Sequence, residues 1–138
     1  MKKTEIFFPF KPRPKGRPRF TRYGHTYTPK ETTEYEEKIR NYYIASVSDY
    51  YEGAIKIELT FYMPIPKTVT KKGKCLMLEN VIKHVKKPDT DNMAKALLDS
   101  INKVAYKDDS QITQLISKKR YASDENVGIH MVITEDVE

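Results

Sequence analysis

Apolar and polar residues alternate most regularly from Ala54 to Met63, where Ile55, Ile57, Leu59 and Phe61 interleave with Lys56, Glu58, Thr60 and Tyr62. A period of two predicts a strand with one buried face, and Pro64 and Pro66 stop it. Thr4 to Phe10 is β-branched and aromatic and predicts a first strand ended by Pro9 and Pro12. Ser110 to Ala122 and Gly128 to Thr134 are two further extended runs. The turn residues Ser123-Asp124-Glu125-Asn126 between them predict an antiparallel hairpin. Phe20 to Tyr27 reads as a smaller hairpin turning on Gly24. Helical spacing appears twice. Thr28 as N-cap, Pro29 in the first turn and Glu31 start a helix to about Val47, marked by Tyr35, Ile39, Tyr42 and Tyr43. Asn92 to Lys103 carries Met93, Ala94, Leu97, Leu98 and Ile101 on one face. Between 67 and 87 only Leu76-Met77-Leu78 hints at a helical turn. The pattern predicts one domain over residues 1–138 of α/β (α+β) class, with a mixed sheet and two main helices.

Composition narrows the setting. The chain has 138 residues, a net charge of +6 and 38% hydrophobic residues, with a mean hydropathy of −0.69 and a pI of about 9.2. Such a chain supports one small core with a large functional or oligomeric surface, and its charge favours anionic partners. Cys75 is the one cysteine, which excludes an intrachain disulfide and a thiolate zinc site. His25, His84 and His130 lack metal-binding spacing. No apolar run reaches membrane length, so a soluble, cytoplasmic protein is expected. From Lys11 to Arg22 there are six positive charges and no acid, with prolines and a glycine that deny this stretch a helix. Phe20, Tyr23 and Tyr27 follow closely. Cations beside ring faces suit a phosphate backbone and unstacked bases, although a solvated loop has the same composition. Lys67 to Lys87 forms a second basic approach, leading straight into acidic residues.

Those residues are Asp89 and Asp91 in Lys87-Pro88-Asp89-Thr90-Asp91-Asn92-Met93-Ala94-Lys95, with Asp108 and Asp109 after the second helix. Asp91 and Lys95 share a helical face, one turn apart. Asp99, further along, is expected to pair with Lys95 or Lys103. Each acidic pair alone is ordinary capping or turn chemistry. In combination they suggest carboxylates gathering around a hard cation, if the strand after Asp109 runs back beside the helix start. Oxygen-only donors select magnesium, with manganese as a substitute. An EF-hand is excluded, since Ala94 stands where that loop requires glycine. There is no P-loop, zinc ribbon or Gly-x-Gly-x-x-Gly.

Residues 87–99 and Tyr106-Lys107-Asp108-Asp109-Ser110-Gln111-Ile112 resemble the corresponding motifs of the RusA-type Holliday junction resolvases, small endodeoxyribonucleases often encoded by prophages. Lys15-Gly16-Arg17-Pro18-Arg19 and Tyr27-Thr28-Pro29 are similar to the N-terminal segments of the Gram-positive and phage branch. The resemblance covers most of the chain and is weakest over Thr68 to Val81. It implies a homodimer that binds four-way DNA junctions and, with Mg²⁺, nicks two opposed strands in recombination and repair. By motif position it implies Asp89, Asp91 and Asp109 as catalytic, metal-holding aspartates, Asp108 as a neighbouring ligand, and Lys95 as the catalytic lysine. Lys15, Arg17, Arg19, Lys118 and Lys119 are expected to bind DNA phosphates. The two symmetric nicks that the resemblance implies in turn predict a C₂ dimer with one site per subunit. Flaps, forks or other branched DNA are alternative substrates, and a non-catalytic branched-DNA-binding protein is the alternative from another class.

Overall fold

A computed structural model describes residues 2–16 and 19–137, and for Arg19 the backbone alone. The proposed phosphate contact Arg17 and the side chain of Arg19 therefore lie outside the described residues. The strands are β1 (Lys3–Phe8), β2 (Arg19–Phe20), β3 (Thr26–Tyr27), β4 (Ile55–Pro64), β5 (Ile112–Ala122) and β6 (Gly128–Glu135). The helices are α1 (Lys30–Ser46), α2 (Lys71–Leu78) and α3 (Thr90–Ile101). The fold is a single mixed α+β domain with three helices where the sequence pattern predicted two main ones.

The alternation in the most regular strand translates directly into burial. Ile55, Ile57, Leu59 and Phe61 are completely buried, as are Ile129, Met131 and Ile133 of β6. Registered beside them are Thr4, Ile6 and Phe8 of β1. Against this face pack Tyr35, Ile39 and Tyr43 of α1 and Met93, Leu97 and Ile101 of α3, forming one continuous core. Three core tyrosines satisfy their hydroxyls: Tyr43 donates to the Asp49 carbonyl (2.6 Å), Tyr51 to that of Ile133 (3.3 Å) and Tyr106 to that of Leu98 (3.0 Å). Tyrosine can therefore replace an aliphatic side chain here without stranding a polar group.

Strand order is β1-β6-β4-β5. β4 pairs antiparallel with β6 and parallel with β5. The expected β5–β6 hairpin does not form. β4 lies between the two, and residues 123–127 carry the chain across its end. A strand whose alternate residues are fully apolar gains most from the central position, where neighbours on both sides exclude water. The small β2–β3 hairpin does form, with Gly24 at φ 84 in its turn.

Three local expectations need correction. α1 begins at Lys30, with Pro29 rather than Thr28 at the N-cap, because Pro29 keeps an extended ψ of 144°. Its carbonyl accepts from Thr32 N (3.1 Å) and Thr33 N (3.2 Å). The helical turn expected at 76–78 is the end of an eight-residue helix capped by Thr70, whose hydroxyl accepts from Gly73 N (3.0 Å). α3 stops at Ile101, since Lys103 adopts φ 75 and its N–H donates to the Tyr106 carbonyl (2.8 Å).

Candidate active site

β4, α3 and the parallel β5 form a crossover unit, and this connectivity decides where each acidic residue lies. A helix joining two parallel strands runs against them, so it starts at their C-terminal ends and finishes at their N-terminal ends. Asp89 and Asp91 stand at the start of α3. There the Ser117 hydroxyl donates to the Thr90 carbonyl (3.0 Å), and Lys119 Nζ donates to the carbonyls of Lys86 (2.5 Å) and Pro88 (3.0 Å).

Asp108 and Asp109 stand at the other end. The Gln111 amide donates to the carbonyls of Tyr51 (2.8 Å) and Gly53 (3.0 Å), just before β4. Tyr106, which bonds to Leu98 near the end of α3, has its pKa raised by burial and by the adjacent Asp109 carboxylate. Asp109 lies against Tyr106, which bonds to Leu98, and Leu98 is about 10 Å beyond Asp91 along the helix at 1.5 Å per residue, too far for carboxylates that must each reach one ion at about 2 Å. Among the described residues of one subunit, no three His, Cys, Asp or Glu side chains are placed to hold a metal. β5 does run back beside the helix start, but it arrives there with Ser117 and Lys119. The two acidic pairs therefore do not meet within a chain.

The four aspartates also differ locally. Asp89 occupies the N-cap, yet its side chain makes no capping bond, so capping does not explain it. Asp91 Oδ1 accepts only from Asn92 N (2.9 Å), and the Asp91 side chain is exposed, as is that of Lys95 one turn on. Asp108 behaves as a turn residue. Its Oδ2 accepts from Ser110 N (2.9 Å) and Gln111 completes the capping box, while hydrogen bonds from the Ser110 side chain and backbone lower its pKa. Asp109 makes no such bond and lies against the Tyr106 phenol.

Beside the Asp89 end lies an open cleft of about 500 Å³, lined by Lys11, Arg13 and Pro14 of the arm, Glu31 and Tyr35 of α1, Met63 and Pro64 of β4, and His84, Lys87 and Pro88. Two of the approaches recognised as basic in the sequence thus become its two walls. Arg13 N donates to Tyr35 Oη (3.3 Å), which fixes the arm to α1, and burial pushes the Tyr35 pKa up to about 12.

Several expected phosphate contacts already have protein partners. Lys15 Nζ bridges Glu36 (2.6 Å) and Asp99 (3.1 Å), so Asp99 is paired with Lys15 instead of Lys95 or Lys103. Lys118 pairs with Glu58 (3.0 Å), and Lys119 holds the 86–88 backbone. The cleft cations Lys11, Arg13 and Lys87, and His84 with them, were not singled out from the sequence. The signal was their membership of the two basic approaches that flank Asp89.

The chain is 34% identical over 79 residues to the uncharacterized protein YqaN of Bacillus subtilis (strain 168). That alignment spans 56% of this chain and 56% of the relative, so a little over half of each is covered. The family model described as endodeoxyribonuclease RusA matches residues 9–133, which include the basic arm, the cleft, both acidic pairs, β4 and β5 entire and β6 as far as Ile133, but not β1. With that match over nearly its whole length, the chain belongs to the RusA endodeoxyribonuclease family.

Proposed function

We propose that this protein is a structure-specific endodeoxyribonuclease that resolves four-way DNA junctions by paired, symmetric nicks. One observation carries the reading. A cationic cleft opens beside a helix start bearing two exposed aspartates, of which Asp89 at the N-cap makes no capping bond, with Lys95 exposed one turn further on. A strand drawn into the cleft by Lys11, Arg13 and Lys87 would lie with its phosphates beside Asp89 and Asp91. Lys95 would then stabilise charge developing on the scissile phosphate or orient the nucleophile.

The carboxylates of a single subunit do not fit one ion, and this bears on assembly. Asp89 and Asp91 form one half of a ligand set and Asp109, with Asp108 beside it, the other half. A two-fold dimer that apposes unlike ends of α3 would unite them, and the symmetry of paired nicking calls for such a dimer. Magnesium, or manganese in its place, is the ion an all-carboxylate set selects, and it would supply charge neutralisation and an activated water.

Incubating the protein with a labelled junction and Mg²⁺, beside Asp91→Asn, tests the reading. The parent is expected to cut and D91N to bind without cutting. A parent that binds junctions but cuts nothing in Mg²⁺ or Mn²⁺ would be a binding protein. Matched flap and fork substrates in the same assay establish which branched DNA is preferred.

A further inference from the structure

His84 is placed unlike any other titratable side chain near the cleft. Its ring packs on Tyr121, with centroids 4.8 Å apart and planes tilted by 52°, and Tyr121 is itself buried on β5. His84 Nδ1 is closed off from solvent and has no hydrogen-bond partner among the described residues. The residue nevertheless lines the cleft, so what it offers there excludes Nδ1.

A neutral imidazole carries its proton on one nitrogen only. A buried N–H without an acceptor is costlier than a buried lone pair without a donor. The proton is therefore favoured on Nε2. Protonating both nitrogens would bury a second N–H with no acceptor but the residue's own backbone, and burial, then the charge of Lys119 and more weakly that of Lys86, lowers the pKa of the ring against that backbone contact. His84 thus stands in a cationic cleft as a neutral donor whose orientation Tyr121 fixes.

We propose that His84 donates a hydrogen bond from Nε2 to a phosphate oxygen of the DNA strand occupying this cleft, acting as a binding residue of the nuclease site. A phosphodiester is the fitting acceptor because it has no donors to set against Lys11, Arg13 and Lys87. This rests on the reading of the protein as a DNA nuclease. It also has a consequence that distinguishes His84 from those three cations. A neutral donor displaces no counterion, so its loss weakens binding equally at every salt concentration.

The test measures binding to a fixed four-way junction in EDTA across a salt series, for the parent, His84→Phe and His84→Gln. H84F keeps an aromatic ring against Tyr121 and loses the donor. H84Q keeps a donor at similar reach and loses the ring. H84F is expected to bind roughly ten-fold more weakly with an unchanged salt slope. H84Q should stay within about two-fold of the parent. Parent-like binding by H84F, an equal loss in both variants, or a shallower slope for H84F would each overturn the proposal. Nitrogen-15 spectra of the parent's imidazoles give a readout free of any folding defect in a variant. They should show the Nε2–H tautomer and a shift of that signal when junction is added, and the Nδ1–H tautomer or an imidazolium would refute the assignment. A parent that bound no DNA would sink both this inference and the nuclease reading, whereas a binding parent with an indifferent H84F would sink the inference alone.

Discussion

Side chains of the same type take different work here according to what the backbone offers them. Asp108 finds an amide to cap, while Asp89, at a helix start, leaves its carboxylate outside the cap. Lys15 shows the same principle for a cation. Burial opposes its charge, but hydrogen bonds and attraction from Glu36 and Asp99 raise its pKa above 10.5. That contribution is fully present below pH 10.5 and disappears as pH rises through the folded value. Lys15→Met should cost about 1 kcal/mol in urea unfolding, since the pair is partly exposed. It should leave the salt slope of DNA binding unchanged, because the charge is already compensated. His84 has the opposite sign. Burial first, then Lys119 and Lys86, hold its pKa below 6.5. As pH falls below 6.5 the unfolded chain is protonated first, so the parent should lose stability there relative to H84Q, with no further divergence once the folded ring also titrates. Paired urea titrations between pH 7.5 and pH 5 would check it, at values chosen to bracket the ordinary histidine range.

At the scale of elements, α3 and β5 carry the site between them. The Lys119 ammonium ties the edge strand to the carbonyls of Lys86 and Pro88, immediately ahead of Asp89. Lys119 was expected to bind phosphate, and these two bonds favour a positioning role for it instead. Lys119→Met should slow cutting at saturating protein by roughly ten- to a hundred-fold, because displacing a reacting group by about 1 Å is that costly. Junction affinity should fall much less. Single-turnover rates set beside binding curves separate the two, and equal losses in both would return Lys119 to a simple phosphate contact. The other end is fastened differently, by the Gln111 amide across Tyr51 and Gly53. The two acidic pairs are therefore held by unrelated anchors, at different ends of α3.

Over the whole molecule, that separation makes the proposed dimer necessary to the proposed chemistry. Mixing inactive D91N with inactive Asp109→Asn subunits discriminates between arrangements. If each site joins Asp91 of one subunit to Asp109 of the other, a mixed dimer keeps one intact site and should nick one strand of a junction. If both residues act within one subunit, every site in the mixture is defective and no nicking returns. The edge position of β5 leaves Leu115 46% exposed on the same sheet face as the buried Ile57, to which it is registered. That is an apolar position a partner could cover.

Much of this architecture is legible from residue order because local physics decides it. Alternation places Ile55, Ile57, Leu59 and Phe61 on one buried face whatever they pair with, and helical spacing does the same for Tyr35, Ile39 and Tyr43. The acidic motif, its lysine one turn on, and the basic approaches were likewise readable, as was the family. Strand pairing was not. Nothing local to 112–122 and 128–135 says that β4 will enter between them, since that outcome depends on which strand gains most from burial on both sides. The same nonlocal choice made β5 parallel to β4, sent α3 back along the pair, and so parted Asp109 from Asp89 and Asp91. Residue order determined which groups are candidates for the chemistry; only the tertiary structure decided which of them stand together, because distance across a sheet is set by pairing and not by spacing along the chain.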